Sequence, residues 1–133
     1  MKLVVAEHGS DVADELWAAA TLRIASQLVY PEARAALAAA ERAGRINRRG
    51  LRRAVSDLDE ATASMSLVGV DETLAREAGR LAEEHGLRGY DAVHLATAVG
   101  GRDRELLIVT WDRDLAGAAL RCGHPVAPAL SHA

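Results

Sequence analysis

Three carboxylates stand out by the company they keep along the chain. Glu32 lies one turn into an Ala-rich segment, where its helical neighbours at i−4, i+3, i+4 and i+7 are Leu28, Ala35, Ala36 and Ala39. A carboxylate on an apolar stripe is costly to bury without a partner. Asp91 opens the almost wholly apolar stretch Ala92–Val99, sharing its face with Leu95 and Ala98, with His94 between. Asp112 follows the continuous apolar run Leu106–Thr110, and Asp114 comes two residues later. Each has a plainer reading. Glu32 could be a first-turn glutamate favoured by the helix dipole behind Pro31 at the first helical position. Asp91 and Asp112 could be N-caps, and His94 a core histidine with a local hydrogen bond.

Taken together the acids say more. Each falls at a strand-to-helix junction or early in the helix that follows, so in a parallel sheet they would converge on one rim. Carboxylates that close raise one another's pKa unless a cation neutralises them. An all-oxygen set, with a single cysteine (Cys122) and no paired-histidine motif, favours Mg²⁺, with Mn²⁺ as the other fit, over zinc. Such an ion suits phosphodiester hydrolysis, where it activates a water, offsets charge on phosphorus and stabilises the leaving oxygen. There is no G-x-G-x-x-G, Walker A lysine, G-x-S-x-G or H-E-x-x-H to support other chemistries.

The elements that must position these residues are legible as alternating strands and helices. Asp11–Ala20 reads as a short helix and Leu22–Ser26 as a buried strand. A long helix follows from Gln27 to about Ala43, stopped by Gly44. Asn47 caps a second long helix to about Ala63, and Met65–Val70 reads as a strand. Asp71 caps a helix ended by His85-Gly86. Gly89-Tyr90-Asp91 opens the apolar helix closed by Gly100-Gly101. Leu106–Thr110 is the clearest strand, Asp112–Arg121 the last helix, and Pro125–Ala127 a final edge strand. Strands alternating with helices, and no hairpin signal, predict an α/β fold: a parallel sheet flanked by helices on both faces.

The chain's 133 residues, 50% hydrophobic and 26% charged, predict one soluble domain over residues 1–133. No apolar run spans a bilayer and the N-terminus lacks signal-peptide layout, so the expectation is a cytoplasmic protein with no membrane association. Four aromatics, none of them Phe, argue against a base-stacking platform. The formal charge is −3, yet Arg42, Arg45, Arg48, Arg49, Arg52 and Arg53 form a cluster uninterrupted by any acid. Such a cluster can hold a phosphate backbone or a protein partner; alternatively it is a solvated helix joint.

Tyr30-Pro31-Glu32, the block Gly89-Tyr90-Asp91-Ala92-Val93-His94-Leu95-Ala96-Thr97-Ala98, and Val109-Thr110-Trp111-Asp112-Arg113-Asp114-Leu115 resemble the PIN domain of VapC-type toxins, in order and spacing over essentially the whole chain. The resemblance implies a Mg²⁺-dependent endoribonuclease acting on RNA, a homodimer, and a cognate VapB-type antitoxin as inhibitor. It places the acidic site at Glu32, Asp91 and Asp112, with Asp114 as a fourth metal-site acid and Thr110 supporting by hydrogen bonding. The family opens with a strand ending in Leu-Asp-Thr/Ser-Ser-Ala-Leu, whose Asp is a metal ligand. Met1–Ser10 resembles the part after that strand, so the expectation is a sheet whose first, central strand is missing, and Glu7, Asp11 and Asp14, all beyond it, cannot stand in for its Asp. An inactive PIN module that binds antitoxin or RNA, and an unrelated α/β binding domain with three capping acids, are the competing readings.

Overall fold

Short apolar runs become strands and the Ala- and Leu-rich stretches between them become helices. The computed structural model describes residues 18, 20, 22–101, 106–110 and 112–127, and the backbone of residues 2–5. Its elements are β1 (Lys2–Val5), β2 (Leu22–Ser26), α1 (Val29–Arg42), α2 (Arg48–Ala63), β3 (Ser66–Val68), α3 (Glu72–His85), α4 (Gly89–Gly100), β4 (Leu107–Val109), α5 (Arg113–Arg121) and β5 (Val126–Ala127). The helix expected over Asp11–Ala20 lies outside the described residues except at its end.

All strand pairings are parallel, in the order β3-β2-β1-β4-β5. The central strand expected to be missing is therefore present. Lys2–Val5 pairs on one edge with β2, with Val4 opposite Ile24, and on the other with β4, with Val5 opposite Val109. Four residues suffice because both edges are hydrogen-bonded. The apolar run Leu3-Val4-Val5 is what a strand flanked on both sides requires. β2 and β4 thus have a neighbour between them.

Alternation along the strands divides the core. Ile108 is buried with Leu81, Leu95 and Leu115 from α3, α4 and α5, and Ile24 packs against the same cluster. Ala25 and Val109 point the other way, meeting Val29 of α1, with Leu107 beside them. Helices accordingly cover both faces, as period-two side-chain alternation in a two-sided sheet demands.

The helix ends follow their capping chemistry. Asn47 accepts from the Gly50 N–H and Asp71 from the Leu74 N–H, both at 2.8 Å. Gly86 closes α3 at φ 65°, a left-handed conformation that glycine adopts without Cβ strain. Pro31 is the third residue of α1 and not the first. It is tolerated there because the opening N–H groups of a helix have no carbonyl to meet, and the Glu32 N–H makes the bond to Leu28 O.

Candidate functional site

β4 delivers Asp112 to the carboxyl edge of the sheet. Thr110, fully buried just after the strand, accepts a hydrogen bond from the Asp112 N–H through its Oγ1 at 3.1 Å. Asp112 then serves two structures with its two oxygens. Oδ1 caps α5 by accepting from the Leu115 N–H at 2.9 Å, and Oδ2 accepts from Arg88 Nη2 at 3.2 Å. The capping reading is therefore correct for Oδ1, while Oδ2 is held by Arg88 and takes no part in the cap.

Asp91 is not a cap. The N-cap of α4 is Arg88, and Asp91 is the third helical residue, 8% exposed. Its Oδ2 accepts from Arg88 Nε at 2.9 Å. Nor does it follow a strand: α4 comes directly after α3, and it is the packing of α4 against β2 and α5 that brings Asp91 to the rim. One guanidinium edge therefore faces both Asp91 and Asp112. The hydrogen bond to Asp91, above all, pushes Arg88 above the ordinary arginine range.

Glu32 enters from the other face of the sheet, carried by the first turn of α1. Its Oε2 lies 3.0 Å from Nε2 of His94, one turn along α4 from Asp91. An ionised carboxylate only accepts, so Nε2 carries the proton of this bond. His94 is a core histidine, 3% exposed, but its hydrogen bond is long-range and not local. Glu32 Oε1 is buried with no hydrogen-bond partner among the described residues.

The structure thus gathers Glu32, Asp91 and Asp112 around the start of α4. Among the described residues, however, no three His, Cys, Asp or Glu side chains stand close enough to hold an ion together. Asp91 and Asp112 are drawn to Arg88, and Glu32 to His94. The donor set nevertheless fits a hard divalent cation: carboxylate oxygens throughout, with Glu32 Oε1 a buried acceptor that lacks a donor. Asp114 does not join them; it is exposed in the first turn of α5, where the helix dipole favours an acid. Arg42, Arg45, Arg48, Arg49, Arg52 and Arg53 are all exposed around the α1–α2 joint, where Arg48 pairs with Glu41 at 3.4 Å.

Two participants escaped the sequence reading, Arg88 as a residue and His94 in its role. Their spacing offered a signal: Arg88 precedes Asp91 by three residues and His94 follows it by three, the separations that bring side chains together around a helix. What spacing leaves open is the second partner of each, which comes from a distant element.

Comparison with known proteins agrees with this architecture. The PIN domain family matches residues 2–120. Two proteins of Mycobacterium tuberculosis, Ribonuclease VapC45 of strain CDC 1551 / Oshkosh and Ribonuclease VapC49 of strain H37Rv, are each 42% identical over 129 residues, covering 97% of this chain and 90% of theirs. Among solved structures, PAE2754 from Pyrobaculum aerophilum has a TM-score of 0.66 at 24% identity, covering 95% of this chain and 89% of its own. A toxin–antitoxin complex from Klebsiella pneumoniae has a TM-score of 0.63 at 19% identity, covering 88% of this chain and 92% of its own. At those identities the two structures speak for the fold alone.

Proposed function

The chain belongs to the PIN-domain family, and on that premise we propose that it is an endoribonuclease of the VapC toxin type, dependent on Mg²⁺ and restrained by a VapB-type antitoxin. The observation that carries the reading is that Arg88 joins Asp91 to Asp112 while His94, one turn along α4 from Asp91, holds Glu32. The naming of both Mycobacterium relatives as ribonucleases supports RNA as the substrate. The VapC names of the same relatives support an antitoxin partner.

Asp91, Asp112 and Glu32 would hold the ion, which would supply water activation and charge neutralisation at the scissile phosphate. The protein's own part is preorganisation. Thr110 and the Leu115 N–H fix the backbone and Oδ1 of Asp112, so that Oδ2 is the oxygen left to turn inward. His94 holds Glu32 by Oε2 and leaves Oε1 as the oxygen available to a cation. Holding ligands by hydrogen bonds on rigid elements is what keeps such a site productive. The exposed arginines of the α1–α2 joint would take the RNA backbone or the antitoxin. A homodimer in the reducing cytoplasm is part of the same reading; no helix among the described residues is long and apolar enough to cross a membrane.

β1 also bears on the catalytic set. The exclusion of Glu7 rested on a missing strand, and that premise is gone. In the sequence Glu7 is the first carboxylate beyond Val5, and it is proposed as a further member of the acidic set.

Purified protein incubated with RNA tests the reading. Cleavage should require added Mg²⁺, cease with EDTA, and be abolished by Asp91→Asn with an unchanged circular-dichroism spectrum. If Asp91→Asn cleaves like the parent, the site is wrongly assigned.

A further inference from the structure

Arg88 is placed against the grain of its helix. It occupies the N-cap of α4, gives no side-chain capping bond, and sets a positive charge at the helix end that disfavours cations. Helix stability does not account for it. Its guanidinium instead forks between two carboxylates, Nε on Asp91 Oδ2 at 2.9 Å and Nη2 on Asp112 Oδ2 at 3.2 Å. The Tyr90 ring lies 5.1 Å from its guanidinium carbon and steadies it from one side. The two aspartates are mostly buried, at 12% and 25% side-chain exposure, whereas Arg88 is 63% exposed and has room to leave.

From this geometry we infer that Arg88 is a built-in counter-ion that competes with the divalent cation for the Asp91–Asp112 pair. The inference rests on the metal-site reading above. A divalent cation held by this pair of carboxylates would share their negative charge with the guanidinium already on both Oδ2 atoms, and two positive charges held there together would repel. Metal entry therefore requires the guanidinium to swing outward, and Arg88 sets how much free cation the site needs. Arg88 is a positioning residue: it holds the two aspartates near each other at low cation concentration, at the expense of metal affinity.

The experiment is Mn²⁺ titration of chelator-treated protein by calorimetry, with melting curves at each end point. Arg88→Ala should bind Mn²⁺ about tenfold more tightly than wild type, within the usual range of coupling between sites. It should also melt lower without metal and gain more on adding it. Arg88→Lys keeps the charge but cannot fork across two carboxylates, so its affinity should fall between the two. Arg113→Ala controls for the general field. Arg113 is exposed beside Asp112 and lies outside the fork, so its removal should change affinity less than twofold.

Equal or weaker binding by Arg88→Ala, with Arg88→Lys giving the same answer, overturns the competition. So does an effect of Arg113→Ala as large as that of Arg88→Ala. Failure of wild type and variants alike to bind Mn²⁺ overturns the metal-site reading itself, and the inference with it. A purely structural role for Arg88 would lower the melting temperature equally with and without metal.

Discussion

Asp112 offers a clean separation of structure from chemistry because its two oxygens have different employers. Asp112→Asn keeps an oxygen able to cap the Leu115 N–H, since Asn caps helices as well as Asp. It removes the negative charge that faces Arg88. Asp112→Ala removes both. The cap is worth about 1 kcal/mol, so Asp112→Ala should melt about 3–5 °C below Asp112→Asn in a chain of this size. Loss of the Arg88 pair, whose cationic partner is largely exposed, is common to both variants and cancels in the comparison. Activity should not follow this order. Both variants remove a carboxylate from the proposed metal site, so both should fall by more than the roughly 10–100-fold typical of residues that merely orient ligands. The assays are thermal melts of both variants and single-turnover cleavage of an RNA at saturating Mg²⁺. Cleavage by Asp112→Asn within threefold of the parent would leave Asp112 as a helix cap only. Equal melting temperatures for the two variants would refute the assignment of Oδ1 to the cap.

Reversing Arg49 and Arg52, exposed and without an ion pair among the described residues, should weaken RNA binding and lower its log–log salt slope by about one unit per lost phosphate contact; an unchanged slope in filter binding returns them to a solvated surface. Gly86→Ala meets no atom within 4 Å of the new Cβ but must hold φ +65°. It should lower stability by about 1 kcal/mol without altering cleavage at 25 °C, as a denaturant melt and a cleavage assay would show. Glu7→Gln should reduce Mg²⁺-dependent cleavage at least tenfold with little change in melting temperature, and parental activity would remove Glu7 from the acidic set.

What could be read in advance was local chemistry. β2 spans Leu22–Ser26, the bounds that its apolar run predicts, Asn47 and Asp71 open their helices, and Gly86 closes one, as their types demand. Position in a sheet is a different kind of information. Leu3-Val4-Val5 has a strand's composition, but its rank as the central strand comes from pairing with β2 and β4, whose partners lie about 20 and 100 residues away. The expectation of a missing central strand failed for that reason. Asp91 shows the same limit at the site. A first-turn acid suggests a cap, and only the tertiary arrangement shows it buried and bonded to Arg88. The partner of His94 is 62 residues distant, beyond the reach of any periodicity.

The two faces of the sheet are unequally secured. On one side α3, α4 and α5 bury a large cluster around Leu95 and Ile108. On the other, α1 and α2 each contribute one buried residue among those described, Val29 and Leu58. Glu32 belongs to the weaker layer, whereas Asp91 and Asp112 belong to the stronger. Elements with little buried apolar contact open at a smaller free-energy cost than the whole molecule. A brief lifting of α1 would carry Glu32 away from His94 while the aspartates stayed in place. The nuclease would then be disarmed without being unfolded. On warming, cleavage should fade before helical structure does, and a partner that grips the α1–α2 hairpin could silence the enzyme without covering its aspartates.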